Sequence, residues 1–370
     1  MAVLQQTEWI AVHADGFTVS GARARCHALA PLLVERGWSC LIAAGTRFMA
    51  PQFGHDCQRV FEQYGVPTSS IASPVPFPAI ELALLQGRAD CALVVGARNR
   101  PYWYGGLILL GPSHEPLLID PPPFVDTTPF PTAPPAPDRL TIDIRSPYIE
   151  ALRDRIDVDL IKRSALTIFV DAMSGTGAGI IPAVLGDDGQ AKAVEINREP
   201  DAFFGKQTPN PAEHSLARLR KLVRESGSTF GSAISADGRA LAVVDQLGET
   251  IAPLDLALLL GHYLARQHRQ RGVIVAPAGS PEPPGGLRAW MDASGIGVEL
   301  AADPTARAAA LRDGDRSGAL IAVSADGEVS VGHDGGTPDA TRTTLLLAEL
   351  CARNGGTLRG SIEATRANGK

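Results

Sequence analysis

What most limits the fold is an alternation, repeated along 370 residues, between segments with helical apolar spacing and short apolar runs. Residues Ala22 to Arg36 place apolar side chains at helical intervals and stop at Gly37; SCLIAAG follows as a short buried strand. FGHDCQRVFEQYG then precedes VPTSSI, and PAIELALLQGR precedes DCALVVGA, so the helix-then-strand step recurs. A chain patterned this way buries its strands between helices, which predicts layered α/β units on largely parallel sheets. The scheme resumes with a helix near Tyr148 to Ile156, the strand ALTIFVDAM, a helix after Gly179, AKAVEI, a helix from Ala212 to Ser226, and the strands GSAIS and ALAVVD. It runs a third time through a helix over 253–270, the strands GVIVAP, GVEL and ALIAVS, a hairpin at Asp326-Gly327, and a last helix over 339–353. The reading is an α/β protein of three tandem domains, over 1–147, 148–262 and 263–370, with mixed, largely parallel sheets between helix layers. From about residue 111 to Pro147, prolines such as Pro121-Pro122-Pro123 remove backbone donors, so the first domain is expected to end in an irregular linker.

Charge and cysteine usage exclude several classes of partner. Acidic residues outnumber basic ones by 40 to 34, for a net charge of -6, and no long Lys/Arg block is present to neutralise a run of phosphates, so nucleic acid is not an expected partner. The five cysteines form no CxxC pair and fit buried thiols in a reducing compartment. The first residues lack the basic start and long apolar core of a signal peptide, and the longest apolar run, around Leu254 to Leu260, is shorter than the ~20 residues of a membrane span. A cytoplasmic location with no membrane contact is expected.

One glycine-rich turn invites a cofactor reading. ALTIFVDAM runs into Ser174-Gly175-Thr176-Gly177-Ala178-Gly179, and Glu195, at the end of the next strand, stands about where a dinucleotide-binding fold places its ribose-binding acid. The fingerprint fails at Ile180, where a third Gly or Ala is required, so a structural turn is expected and no cofactor.

A different pattern absorbs more of the chain. D-x-M-x-G-x-G over 171–177, EINREPDAFF over 195–204 and PNPAEHSLARL over 209–219 resemble the second domain of the α-D-phosphohexomutases, the phosphoglucomutase and phosphomannomutase family. Asp15-Gly16, Gly45-Thr46-Arg47 and VPFPA at 75–79 resemble that family's first domain. LAVVDQLGE at 241–249 and DATRTTLLLAELCARNGGTL at 339–358 resemble its third domain and the strand leading into it. The resemblance implies phosphohexomutase domains I to III, with the fourth domain and its R-x-S-G-T-E-P phosphate clamp expected to be absent, since the sequence stops at Lys370.

The resemblance also implies a mechanism that can be checked residue by residue. Family members pass a phosphoryl group between a sugar and a phosphoserine in a T-A-S-H-N-P loop, with Mg²⁺ held by D-G-D-x-D-R; such chemistry rests on positioning and on a cation that offsets phosphoryl charge. Residues Gly96 to Gly106 read G-A-R-N-R-P-Y-W-Y-G-G and align without a gap, which puts Arg98 at the serine position. A guanidinium has no nucleophilic lone pair to accept a phosphoryl group. The metal loop reads Ser235-Ala236-Asp237-Gly238-Arg239-Ala240, so one carboxylate remains and Arg239 brings a positive charge; no metal is expected. The sugar loop falls near Val323 to Glu328, where Ser324 and Glu328 either meet a sugar hydroxyl or form a polar hairpin turn.

Arg98, Asn99 and Arg100 on one tight loop either hold a phosphate bidentately or face solvent. Tyr102, Trp103 and Tyr104 either stack on a sugar or partner or pack inside. The ligand-binding candidates are therefore Arg98, Asn99, Arg100, Asp237, Arg239, Ser324 and Glu328, with no catalytic residue and no metal ligand. The expectation is a catalytically degenerate relative, a non-catalytic sugar-phosphate-binding or regulatory protein. Its expected partners are a phosphorylated sugar or another anion, and a protein partner or second copy of the chain. The alternatives are an enzyme acting on a phosphorylated sugar by altered, metal-independent chemistry, or an ordinary hexose-phosphate mutase.

Overall fold

A computed structural model describes residues 4–112, 140–283, 285–312, 318–332 and 337–367. These residues divide into two compact units. The first runs to Tyr148 and also takes in Ser174–Thr176 and Glu199–Pro209; the second holds the rest.

The first unit is built on β1 (Leu4–Val12), α1 (Val19–Glu35), β2 (Cys40–Ala44), α2 (Ala50–Gln63), β3 (Thr68–Ile71), α3 (Phe77–Leu85), β4 (Cys91–Val95), β5 (Tyr104–Pro112) and β6 (Thr141–Ile142). Its six-stranded sheet has the order β1-β5-β4-β2-β3-β6. The four strands from β4 to β6 are parallel, as the alternating helices require, whereas β5 runs antiparallel to both β4 and β1. Neither β1 nor β5 was anticipated in the sequence. β5 ends at Pro112, next to the start of the irregular linker expected from about 111, and residues 113–139 of that proline-rich stretch lie outside the described residues.

Local chemistry fixes the helix ends. Thr18 caps α1 by accepting the Gly21 amide at 3.0 Å, and Gly37, at φ 65, allows the chain to leave the helix in a left-handed conformation. Arg23 of α1 and Asp56 of α2, both 2% exposed, form a buried ion pair with Arg23 Nε 2.6 Å from Asp56 Oδ2 and Nη2 3.0 Å from Oδ1. Around it lies an apolar core that includes Leu29, Leu33, Phe61, Leu93 and Leu107, and into which Cys26, Cys40, Cys57 and Cys91 are also packed.

The second unit contains two sheets in series. After α4 (Arg145–Arg155) and α5 (Val158–Arg163) come β7 (Thr167–Asp171), α6 (Ile180–Leu185), β8 (Lys192–Ile196), α7 (Ala217–Ser226), β9 (Phe230–Ile234) and β10 (Leu241–Asp245), with the order β10-β9-β7-β8. The strands β9, β7 and β8 are parallel and β10 closes one edge antiparallel. The second sheet follows from α8 (Pro253–Gln267), β11 (Gly272–Pro277), α9 (Gly285–Ala293), β12 (Ile296–Ala301), α10 (Pro304–Arg312), β13 (Ala319–Val323), β14 (Val329–Val331), α11 (Ala340–Asn354) and α12 (Leu358–Ala367), ordered β12-β11-β13-β14. α8, which contains the boundary expected at 262, packs against β11 and β13: a β-carbon at Gly261 would collide with the Ile274 side chain.

Two of the expected elements differ in extent. The helix expected over 212–226 is broken into a single 3₁₀ turn at Glu213–Ser215 and α7, and the chain continues past α11 into α12. The two sheets of this unit meet where Ala240 bridges Glu328, and the Leu241 amide donates to the Gly327 carbonyl at 2.9 Å. Gly327 lies at φ 82, with the Leu241 carbonyl where a β-carbon would sit, so only glycine serves in that turn.

Candidate functional site

The site candidates rest on three loops, β4–β5 in the first unit and β9–β10 and β13–β14 in the second, and each loop is shaped by its own hydrogen bonds. In the first unit, β4 ends at Val95 and the chain turns through 96–103 into β5. The Gly96 amide donates to the Gly106 carbonyl, Arg100 N–H to Ala97, and Tyr104 N–H to Pro101, all at 3.0 Å. Gly105 is required there because a β-carbon would lie 2.6 Å from His13 Cε1 and 2.5 Å from Phe17 Cδ1.

Arg47, 5% exposed, organises this loop from inside. Its Nη1 donates to the carbonyls of Pro101 (2.9 Å) and Tyr104 (3.2 Å), and its Nη2 donates to those of Arg98 (2.8 Å) and Arg100. Its guanidinium also lies over the Phe204 ring, 5.1 Å from the centroid. One buried cation thus gathers four carbonyls of the loop, an arrangement that suits the several donors of a planar guanidinium.

The loop holds Arg98 in a left-handed conformation, φ 49, and its Nη1 pairs with Glu8 of β1 at 3.1 Å. Asn99 is half-buried and Arg100 is exposed. The sequence offered bidentate phosphate binding or solvent exposure for these arginines; a third state is found for Arg98, an ion pair within its own unit. Beside them, Tyr102 packs edge-on against Trp103 (5.0 Å) and Phe203 (5.8 Å), and Phe48 stacks on Phe203 at 5.9 Å. Phe48, Trp103 and Phe203 are each nearly half exposed, so the ring cluster faces solvent rather than filling the core. His13, whose amide donates to the Trp103 carbonyl at 2.9 Å, lies behind Phe48; burial, and then the Arg47 charge, hold its pKa below the ordinary value.

In the second unit, the loop from β9 to β10 is a self-contained turn. The Ser235 hydroxyl donates to Asp237 Oδ1 at 2.6 Å, and the Arg239 amide donates to the same oxygen at 3.1 Å. The Ser235 Oγ accepts the Ala240 amide at 3.0 Å. Arg239, 7% exposed, pairs through Nε with Glu328 Oε1 at 3.5 Å. The Glu328 amide in turn donates to Ser324 Oγ at 3.0 Å, and the Ser324 amide to the Glu328 carbonyl at 2.9 Å. The structure therefore brings Asp237, Arg239, Ser324 and Glu328 into one network, while Arg98, Asn99 and Arg100 form a separate group in the first unit.

These four residues do not fit a magnesium ion. Mg²⁺ requires several oxygen ligands in near-octahedral order. Here the one loop carboxylate already accepts two donors, and the neighbouring guanidinium occupies the second carboxylate.

The glycine turn before α6 is likewise satisfied internally. Both oxygens of Glu195 accept the Gly179 amide at 3.0 Å, so the acid that resembled a ribose ligand serves as the turn's own anion. Asp171, 3% exposed, accepts the Met173 amide and the Asn197 side chain, both at 2.9 Å; burial raises its pKa against those two bonds.

Sequence reasoning did not single out Arg47, Glu8, Phe48 or Phe203 as site residues. Arg47 carried a signal, since it closes the Gly45-Thr46-Arg47 step; Glu8 and Phe203 are brought to the loop only by strand pairing and by the return of residues 199–209.

Comparison with known proteins points in one direction. Residues 146–248 match the family model for phosphoglucomutase/phosphomannomutase, alpha/beta/alpha domain II. The chain is 31% identical over 182 residues to a phosphoglucomutase/phosphomannomutase of Thermococcus kodakarensis, covering 48% of this chain and 40% of that protein. It is 28% identical over 300 residues to a phosphoglucosamine mutase of Sphingopyxis alaskensis, covering 75% and 63%. The chain thus spans less than two thirds of the length of these relatives. Among solved structures, a Thermus thermophilus protein assigned as a phosphomannomutase superposes with a TM-score of 0.83 at 22% identity, over 98% of this chain and 82% of that one. The Paramecium phosphoglucomutase parafusin superposes at 0.72 with 11% identity, over 98% and 76%. Among the described residues, no helix is long and apolar enough to cross a membrane.

Proposed function

Because the chain belongs to the α-D-phosphohexomutase family, the phosphoglucomutases and phosphomannomutases, we propose that it binds a phosphorylated sugar and does not transfer the phosphoryl group. The observation that carries this reading is the loop over 96–106. It holds no serine, threonine, cysteine or histidine, and at the position aligned with the family's serine it presents the Arg98 guanidinium. Phosphoryl transfer through the enzyme requires a side chain that can accept the group and release it. Arg98 offers charge and donors instead, and so does Arg100, whose exposed guanidinium has no partner among the described residues. A phosphate is held by displacing Glu8 from Arg98 and adding Arg100, and the neighbouring rings of Trp103, Phe203 and Phe48 offer flat faces to a sugar or to a protein partner. The second-unit network of Asp237, Arg239, Ser324 and Glu328 supports the same reading, since its charges are matched to one another rather than to a metal.

In this role the protein is a regulatory or ligand-sensing relative of the mutases, and its unpaired cysteines favour the cytoplasm. The test joins two measurements on the purified chain. No interconversion of glucose or mannose 1- and 6-phosphates above background is expected. Glucose 6-phosphate binding, followed by calorimetry at fixed salt, is expected to weaken by roughly a hundredfold in the double variant Arg98→Ala/Arg100→Ala. Turnover by the wild type, or undiminished affinity in a folded double variant, overturns the proposal.

A further inference from the structure

The second unit contains a cavity of about 400 Å³ between α8, the end of α11 and α12, and none of the site candidates described above lines it. Its floor is apolar, formed by Leu259 and Leu350, with Ala364 on one wall. Its polar groups are unevenly charged: Arg266 lines it and no carboxylate does.

Several of those groups have bonding capacity left over. The side chains of Arg266 and Gln267 make no hydrogen bond or ion pair among the described residues. Asn354 Nδ2 donates to Ser361 Oγ at 3.3 Å, which leaves the Asn354 carbonyl and the Ser361 hydroxyl proton uncommitted. The buried acid Glu349, which bonds the lining residue Tyr263, is turned to other partners. It accepts the Tyr263 hydroxyl at 2.6 Å and the Asp157 amide at 2.9 Å, and it lies 3.3 Å from His268 Nε2. Burial, followed by the Arg266 charge, lowers the His262 pKa to about 4, so at neutral pH Arg266 is the one net charge on the cavity wall.

We infer that this cavity binds a small, hydroxyl-bearing organic anion: its charged end on Arg266, its hydroxyls on Asn354 and Ser361, and its carbon skeleton over Leu259 and Leu350. The volume lies within the usual range of about 300–1,000 Å³ for small-molecule sites, near its lower end, which suits a ligand of monosaccharide size or less. A single guanidinium receives a phosphomonoester or a carboxylate through the same fork, so the shared chemistry is an oxyanion on a short polyol.

The experiment is calorimetric titration of the full chain carrying Arg98→Ala/Arg100→Ala, so that the first-unit loop contributes nothing. Three probes separate the sources: glycerol 3-phosphate, gluconate and inorganic phosphate. Binding of glycerol 3-phosphate or gluconate is expected with a Kd below about 1 mM, and tighter than inorganic phosphate, which has no skeleton to lay on the floor. Arg266→Ala is expected to weaken it at least tenfold and Arg266→Lys to restore part of that loss. Ala364→Trp, at an exposed position on the wall, is expected to block the cavity without lowering the urea midpoint. No heat from any probe at 10 mM overturns the inference, and so does equal affinity in Arg266→Ala or in a stably folded Ala364→Trp.

Discussion

The guanidinium of Arg47 donates to the main-chain carbonyl of Arg98 at 2.8 Å, so the loop that displays one arginine is folded around another. Arg47→Ala leaves the carbonyls of residues 98, 100, 101 and 104 short of a donor in a largely buried setting. The expected cost is at least about 2 kcal/mol of unfolding free energy, together with loss of sugar-phosphate binding by the Arg98 loop. Arg47→Lys supplies charge without the planar fork and is expected to fall between. Urea denaturation and calorimetry read the two effects separately; a variant with wild-type stability would remove Arg47 from its organising role.

The Arg23–Asp56 pair, 2% exposed on both sides, joins α1 to α2 and invites a stability test. Asp56 also accepts from Arg59, 3.2 Å from its Oδ1, so Arg23→Ala leaves the carboxylate one cation, whereas Asp56→Ala takes the carboxylate from the buried Arg23. Asp56→Ala is expected to cost about 3–5 kcal/mol and Arg23→Ala less. Replacing both by apolar residues of similar volume, Arg23→Met with Asp56→Leu, is expected to cost much less than the sum, because no buried charge is then left unpaired. Additive losses in the double variant would argue against coupling.

A pH dependence follows from His262. Its folded pKa of about 4 lies below the ordinary 6.5, so the unfolded chain takes up the proton first as pH falls. The stability tied to this side chain is complete above pH 6.5 and is lost between about 6.5 and 4. The ring is partly open to water, which screens the effect and leaves about 1–2 kcal/mol from this source. His262→Gln is expected to flatten that part of the curve of unfolding free energy against pH; an unchanged slope would place the acid sensitivity elsewhere.

Most of the layered architecture was legible because helical and strand periodicities differ and punctuation is plain at Gly37, Gly227 and Asp326-Gly327. β1 and β5 were missed for a physical reason. They are long antiparallel partners whose pairing joins residues about a hundred apart, as Leu4 with Pro112, and nothing local to either announces the other. The loop candidates could be named from the motif, but not their partners. That Glu8 neutralises Arg98, that Arg239 is matched by Glu328, and that Glu195 turns back to the Gly179 amide depend on tertiary placement, which residue types alone do not encode. Asp237 was legible as a surviving carboxylate, whereas its engagement by Ser235 and the Arg239 amide was not.

The distribution of thiols makes the protein its own reporter of opening. All five cysteines are unpaired and buried. Cys26, Cys40, Cys57 and Cys91 share the core of the first unit, while Cys351 lies in α11 of the second. Burial pushes the Cys351 thiol up to about 12; burial and then hydrogen bonding with Cys57 raise Cys26, and hydrogen bonding with Cys91 and then burial raise Cys40. Little thiolate is therefore available to an alkylating reagent while the fold is closed. A molecule that gains four labels at once has opened its first unit, and one that gains a single label has opened the second. Intact-mass spectra taken during slow labelling thus time each unit's excursions separately, and a sugar phosphate held by the Arg98 loop should slow the fourfold adduct while leaving the single one alone.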